Sequence, residues 1–196
     1  MNKYDAISLK SRWSDSLNEL GQSVLSGKGS SPFPSTSEGY ADLRGLVIRR
    51  FIRGATIASV DLSGALFEGF GQFGSCAIKD SRFRNSYLRS NLGNSFSDCD
   101  FGGANLAGAV LRGVFSRCDF SLADLSSSMG SQVRFLGCTF FRANFRKAIF
   151  LRCTFEDCHF EECKFGNGSF AHSKFIRSVL PEESLGNTLI DKVQWM

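Results

Sequence analysis

This 196-residue sequence is short of proline (three), tyrosine (three), tryptophan (two) and histidine (two). No run of about 18 apolar residues occurs, so no segment is expected to span a membrane. The opening Met1-Asn2-Lys3-Tyr4-Asp5 lacks the basic-then-apolar order of a signal peptide. A cytoplasmic location is the expectation. Charge of one sign is not in large excess either: 23 Lys plus Arg face 19 Asp plus Glu, for a net charge of +4. The seven cysteines are odd in number, which speaks for a reducing compartment rather than a disulfide framework.

Phenylalanine is abundant at 20 residues, and nine of them obey one rule. From Val133 to Leu180 a bulky apolar residue returns every fifth position: Phe135, Phe140, Phe145, Phe150, Phe155, Phe160, Phe165, Phe170, Phe175 and Leu180. Two residues before each stands a smaller one, among them Cys138, Ala143, Ala148, Cys153, Cys158 and Cys163. On an α-helix, steps of five rotate by about 140° and scatter these rings around the cylinder. On a straight strand an odd step throws them to alternate faces. They share one interior only if the chain turns a corner in every repeat, which makes each pentapeptide one side of a coil.

The segments Ala41-Asp42-Leu43-Arg44-Gly45, Ala104-Asn105-Leu106-Ala107-Gly108, Ala123-Asp124-Leu125-Ser126-Ser127 and Ala143-Asn144-Phe145-Arg146-Lys147 fit A(D/N)LXX. In this the sequence resembles the pentapeptide repeat family over roughly residues 41–180. The resemblance implies an all-β solenoid, a right-handed quadrilateral β-helix with four pentapeptides per coil; no catalytic, metal or cofactor site is expected. The expected organisation is an N-terminal capping helix and Ser/Gly/Pro linker over 1–40, the β-helix over 41–180, and a C-terminal cap over 181–196.

Tyr4 to Leu25 reads as an amphipathic helix through Ala6, Trp13, Leu17, Leu20 and Val24, suited to cover the open solenoid end. Ser26 to Gly39 reads as a linker. The five-residue count breaks between Leu88 and Phe96, where Asn91–Ser95 is either a small loop or two shortened repeats. It breaks again at Gly130, whose central slot leaves a gap that Ser128 and Met129 are placed to fill in part. After Pro181, near-helical spacing of Leu189, Ile190, Val193 and Trp195 predicts a short capping helix. Trp195 either plugs the last coil or meets a second copy in a homodimer, and plugging is favoured.

With four repeats per coil, residues about twenty apart stack. Cys99, Cys118, Cys138, Cys158 and Ser178 then form an inner column, and parallel side chains at strand spacing predict free buried thiols rather than disulfides. Cys153, Cys158 and Cys163 point inward on successive walls while His159 points out, so they do not converge on one tetrahedral metal. Gly69-Phe70-Gly71-Gln72-Phe73-Gly74 spells a dinucleotide fingerprint without the strand and helix that give it meaning. His159 and His172 fall on different walls of a filled rod, and no Ser, His and acid set is suggested by spacing. The reading is therefore not an enzyme.

Function is left to the outer walls. Val110, Met129 and Ile149 occupy one outward column, flanked by Leu151 and by Arg112, Arg146, Lys147 and Arg152, and apolar patches of this kind mark protein-binding sites. The expectation is a protein-binding scaffold of bacterial type with an immunity-like or adaptor role. A second cluster, Arg44, Arg49, Arg50 and Arg53, suits an acidic partner or solubility of the end. The family resemblance adds an alternative, a DNA mimic that binds DNA gyrase or topoisomerase IV and protects it from quinolones or toxins. Mimicry needs an acidic wall, for which Glu156–Glu162 is the one candidate stretch. Direct nucleic-acid binding ranks last, because no exposed aromatic platform accompanies the arginines.

Overall fold

The computed structural model describes residues 8–196. From Ala41 onward the chain winds as a β-solenoid of about eight turns. Its inner residues form four columns. The first wall carries Leu43, Leu62, Phe83, Phe101, Phe120, Phe140, Phe160 and Leu180, all buried. The second begins at Ile48 and includes Leu88, Leu106, Leu125 and Phe145. The third runs through Ile52, Phe73, Leu92, Leu111, Gly130, Phe150 and Phe170, and the fourth through Ile57, Ile78, Phe96, Phe115, Phe135, Phe155 and Phe175.

All pairings between coils are parallel. The third wall is built from β3 (Phe51–Arg53), the first half of β7 (Gln72–Lys79), β8 (Asn91–Ser97) and β9 (Val110–Ser116), then β10 (Met129–Ser131) and β12 (Ile149–Leu151). The fourth contains β4 (Thr56–Ala58), the second halves of β7 to β9, then β11 (Arg134–Leu136), β13 (Thr154–Glu156), β14 (Lys174–Ile176) and β15 (Gln194–Trp195). Short strands β1 (Ala41–Asp42) with β5 (Val60–Asp61), and β2 (Val47–Ile48) with β6 (Leu66–Phe67), start the first and second walls.

Two features of the repeat make the corner. The residue two after each central position takes a left-handed backbone: Arg142, Lys147, Arg152, Asp157 and Glu162 have φ between 52° and 61°. After Phe140 and Phe145 the turn is closed by Ala143 and Ala148, whose N–H groups donate to the Phe carbonyls at 2.9 and 3.0 Å. The Asp or Asn before the central residue braces the same bend: the amides of Gly102, Ser121 and Ser126 donate to the side chains of Asp100, Asp119 and Asp124 at 2.8–3.0 Å. This is the Asx-turn chemistry that suits Asp and Asn to the second repeat position.

Identical residues in register put ring on ring. Phe101 and Phe120 stack at 4.8 Å with planes 3° apart, and Phe135 and Phe155 at 4.9 Å and 7°. The two stacks meet edge to face, as between Phe135 and Phe140 at 5.5 Å and 75°. Ring separation matches the spacing of hydrogen-bonded strands, about 4.8 Å, so backbone and core share one repeat.

At the N-terminal end the expected single helix is interrupted. Residues 8–11 are helical, the chain turns at Arg12, and α1 (Asp15–Leu25) restarts from Ser14, whose Oγ accepts from the Leu17 amide at 3.3 Å. Tyr4 and Ala6 lie outside the described residues. The break lets Trp13 leave the helical path, donate Nε1–H to the Arg44 carbonyl at 2.7 Å and pack edge-on to Phe33. Buried Asn18 and Gln22 face the solenoid. Asn18 donates to the Val47 carbonyl at 2.7 Å and accepts from the Val47 amide at 3.0 Å, while Gln22 Oε1 accepts from the amides of Arg49 and Arg50. These two side chains supply the hydrogen bonds that a preceding coil would give. The 26–39 segment is fastened along its length: Ser31 donates to the Asp42 carbonyl and Glu38 pairs with Arg82.

The other end corrects the sequence reading. Only α2 (Glu182–Leu185) is helical, and Leu189–Trp195 continues the solenoid along its third and fourth walls: Leu189 bridges to Ser169 and β15 pairs with β14. The five-residue step continues through Leu185, Ile190 and Trp195, and the near-helical spacing of Leu189, Ile190, Val193 and Trp195 masked it. Trp195 stacks on Phe175 at 5.0 Å and keeps 51% of its surface exposed.

Candidate partner-binding face

The outward column of the third wall is set by strand register. Val110 lies opposite Met129 and Met129 opposite Ile149, while Ser131 lies opposite Leu151 in the neighbouring column. With Leu111, Gly130 and Phe150 turned inward, alternation along the strand sends these neighbours to solvent. Met129 is 47% exposed, Ile149 41% and Leu151 39%, and Val110 is half-buried at the top of the strip. Arg146 and Lys147 hold the corner before Ile149, Arg152 the corner after Leu151, and Arg112 lies in β9, the strand above β10; all four are exposed. The face is a shallow apolar strip with cationic edges.

The wall is supported from inside. A Cβ on Gly130 would meet the Phe150 ring at 2.6 Å and Val133 at 2.9 Å, so the vacant central slot is filled by Phe150 of the next coil. The expected fillers stand elsewhere: Met129 faces solvent, and Ser128 is buried but donates to the Leu125 carbonyl at 2.6 Å. Above the strip, the break near Asn91 is resolved as two shortened steps. Leu92, Asn94 and Phe96 face inward from one continuous strand, β8. Buried Asn94 accepts from the Cys76 amide at 2.9 Å and donates to the Phe73 carbonyl at 3.3 Å, which lets a polar residue occupy an inner slot.

The first-coil arginines are mostly engaged. Arg44 pairs with Asp42 at 2.8 Å, Arg49 with Glu68 at 3.4 Å and Arg50 with Glu19, while Arg53 lies over the Phe51 ring. Asp42 is buried between Arg12 and Arg44. Burial pushes its carboxyl up, and hydrogen bonds from the two guanidiniums overcome that and hold it well below the usual carboxylate range.

In the acidic stretch, Arg177 binds Asp157 and Glu156 at 2.6 and 2.8 Å, and Arg142 binds Glu162 at 2.7 Å. A further acidic column was overlooked: Asp42 and Asp61 stack above Arg82, and Asp100 and Asp119 below it. Its signal was the second letter of A(D/N)LXX, and each carboxylate accepts from the amide two residues on, Arg44 for Asp42, Ser63 for Asp61, Gly102 for Asp100 and Ser121 for Asp119. His159 is exposed on the first wall and His172 on the corner after the third. All seven cysteines are free and buried.

Among known proteins, the family model for pentapeptide repeats matches residues 95–128 and 118–157 with eight copies. No curated protein matches the sequence. Similar solved structures include a trypsin-treated form of QnrB1, a plasmid-mediated fluoroquinolone resistance protein (18% identity, 75% of this chain and 84% of that chain covered, TM-score 0.46). Another is HetL, involved in heterocyst differentiation regulation in the cyanobacterium Nostoc sp. strain PCC 7120 (16% identity, 78% and 86% covered, TM-score 0.33). The chain thus matches the pentapeptide repeat family over residues 95–157, and the inward columns and four-sided parallel coils carry the same repeat architecture beyond that stretch.

Proposed function

We propose that this protein is a non-enzymatic scaffold that binds a specific protein partner through its third wall, in an immunity-like or adaptor role. The observation that supports it is the in-register exposure of Met129, Ile149 and Leu151 beside half-buried Val110. A wall held by inter-coil hydrogen bonds is preorganised, so binding orders little of the scaffold itself. Ile149→Asp places a charge at the centre of the strip while leaving Phe150 and the core untouched. Partner recovery by affinity capture is expected to fall to background with this variant while its circular dichroism and melting temperature stay unchanged. Undiminished recovery would remove the third wall as the binding face.

The alternative, protection of DNA gyrase or topoisomerase IV by DNA mimicry, calls for unpaired negative charge along one wall. Pairing of Glu156, Asp157 and Glu162 with Arg177 and Arg142 weighs against it. A supercoiling and cleavage assay with and without a quinolone separates the two readings: dose-dependent inhibition or rescue would favour mimicry.

A further inference from the structure

We infer that the third wall recognises an acidic, apolar-bearing segment of a protein partner; this rests on the reading of that wall as a binding face. Over residues 98–177 the ion pairs lie away from the third wall. At the corner between the fourth and first walls, acids and bases neutralise each other, Asp98 with Arg117 and Asp157 with Arg177, and on the first wall Arg142 pairs with Glu162. Around the apolar strip, Arg112, Arg134, Arg146, Lys147, Arg152 and Lys174 form no ion pair among the described residues. Arg134 and Lys174 stand at the adjoining edge of the fourth wall, as the first residues of β11 and β14.

A partner that covers Met129, Ile149 and Leu151 brings its own groups against these cations. Carboxylates there gain attraction and speed encounter, whereas lysines and arginines are repelled. Apolar side chains between the carboxylates are needed to take the strip out of water. A nucleic acid supplies the charge without that apolar part, and the run Val110, Met129 and Ile149 has no aromatic ring on which a base would stack.

The test is a selection from a random displayed-peptide library on the immobilised full chain, on Ile149→Asp, and on the triple variant Arg112→Glu/Arg146→Glu/Arg152→Glu. Circular dichroism confirms the fold of each. The wild-type pool is expected to be enriched in Asp and Glu beside Leu, Ile, Val or Phe and depleted of Lys and Arg. Individual winners should lose affinity by about tenfold or more on the triple variant and on Ile149→Asp.

A pool that is apolar but not acidic, and that still depends on Ile149, would overturn the acidic partner while leaving the binding face in place. An acidic pool that binds Ile149→Asp equally would overturn both. So would the absence of any enrichment. Duplex DNA that binds the wild type, ignores Ile149→Asp and is lost on the triple variant would replace the peptide reading with a nucleic-acid one.

Discussion

At Gly130 a side chain is missing because the coil below has already used its space. Gly130→Leu restores the repeat's bulky centre and should nevertheless destabilise the fold by about 1–3 kcal/mol, as overpacking does. Phe150→Leu in the same chain should recover part of that loss in denaturant melts; additive losses would show that Phe150 is not the obstacle. The cysteines carry a second residue-level expectation. Burial pushes the Cys153 and Cys163 thiols up to about 12, so the attacking thiolate is scarce. None of the seven should react with an aromatic disulfide reagent in the native protein at about pH 8, and all should in denaturant. A fast-reacting native thiol would contradict their burial. Inner and outer assignment was legible from the period alone, because a ring that recurs every fifth position has one place to go. The filler of the Gly130 gap was not, since it depends on the rotamer of a ring twenty residues away in sequence.

Elements at the two ends follow different rules from the coils they cover. The cap of α1 rests on side-chain amides that imitate a strand, and on Asp42, which joins Arg12 from the cap to Arg44 in the first coil. A carboxyl held low in the folded state contributes stability that is complete above its unfolded pKa, about 4, and is lost as pH falls from there toward the folded value. Acid should therefore detach the cap before it melts the rod. Trp13 fluorescence in a Trp195→Phe background reports this, and Asp42→Asn should weaken the cap by about 1–3 kcal/mol at neutral pH and flatten its acid dependence. Equal acid sensitivity in the variant would point to another group. The sequence revealed that a cap was present but not its break at Arg12, since the pull of Trp13 toward Arg44 is tertiary. It also concealed the last coil, where Ile190 and Trp195 fit two periods at once and α2 occupies one side.

For the whole molecule, stability is close to one-dimensional: each coil touches the one before and the one after, and the ring stacks carry the contact along the axis. Coils whose steps are shortened still pair in register, as β8 does with β9 over seven residues. The regular stretch therefore shows itself in sequence while the first coils hide theirs, although both build the same four columns. The walls could be assigned from the count of five, and the column of Val110, Met129 and Ile149 with them. The placement of the ion pairs away from the third wall could not, because it depends on which arginines find a carboxylate one coil away.

The match between ring spacing and strand spacing also has a mechanical consequence. Pulled by its two ends, such a rod should not fail all at once but peel from one end, because each coil is held only by its neighbour. Each released coil of about twenty residues should lengthen the tether by roughly 66–72 Å less the few ångströms it occupied along the axis. Single-molecule force spectroscopy should then record a sawtooth of near-equal steps. A single rip that spans the whole chain would show that the stacked rings act as one cooperative body.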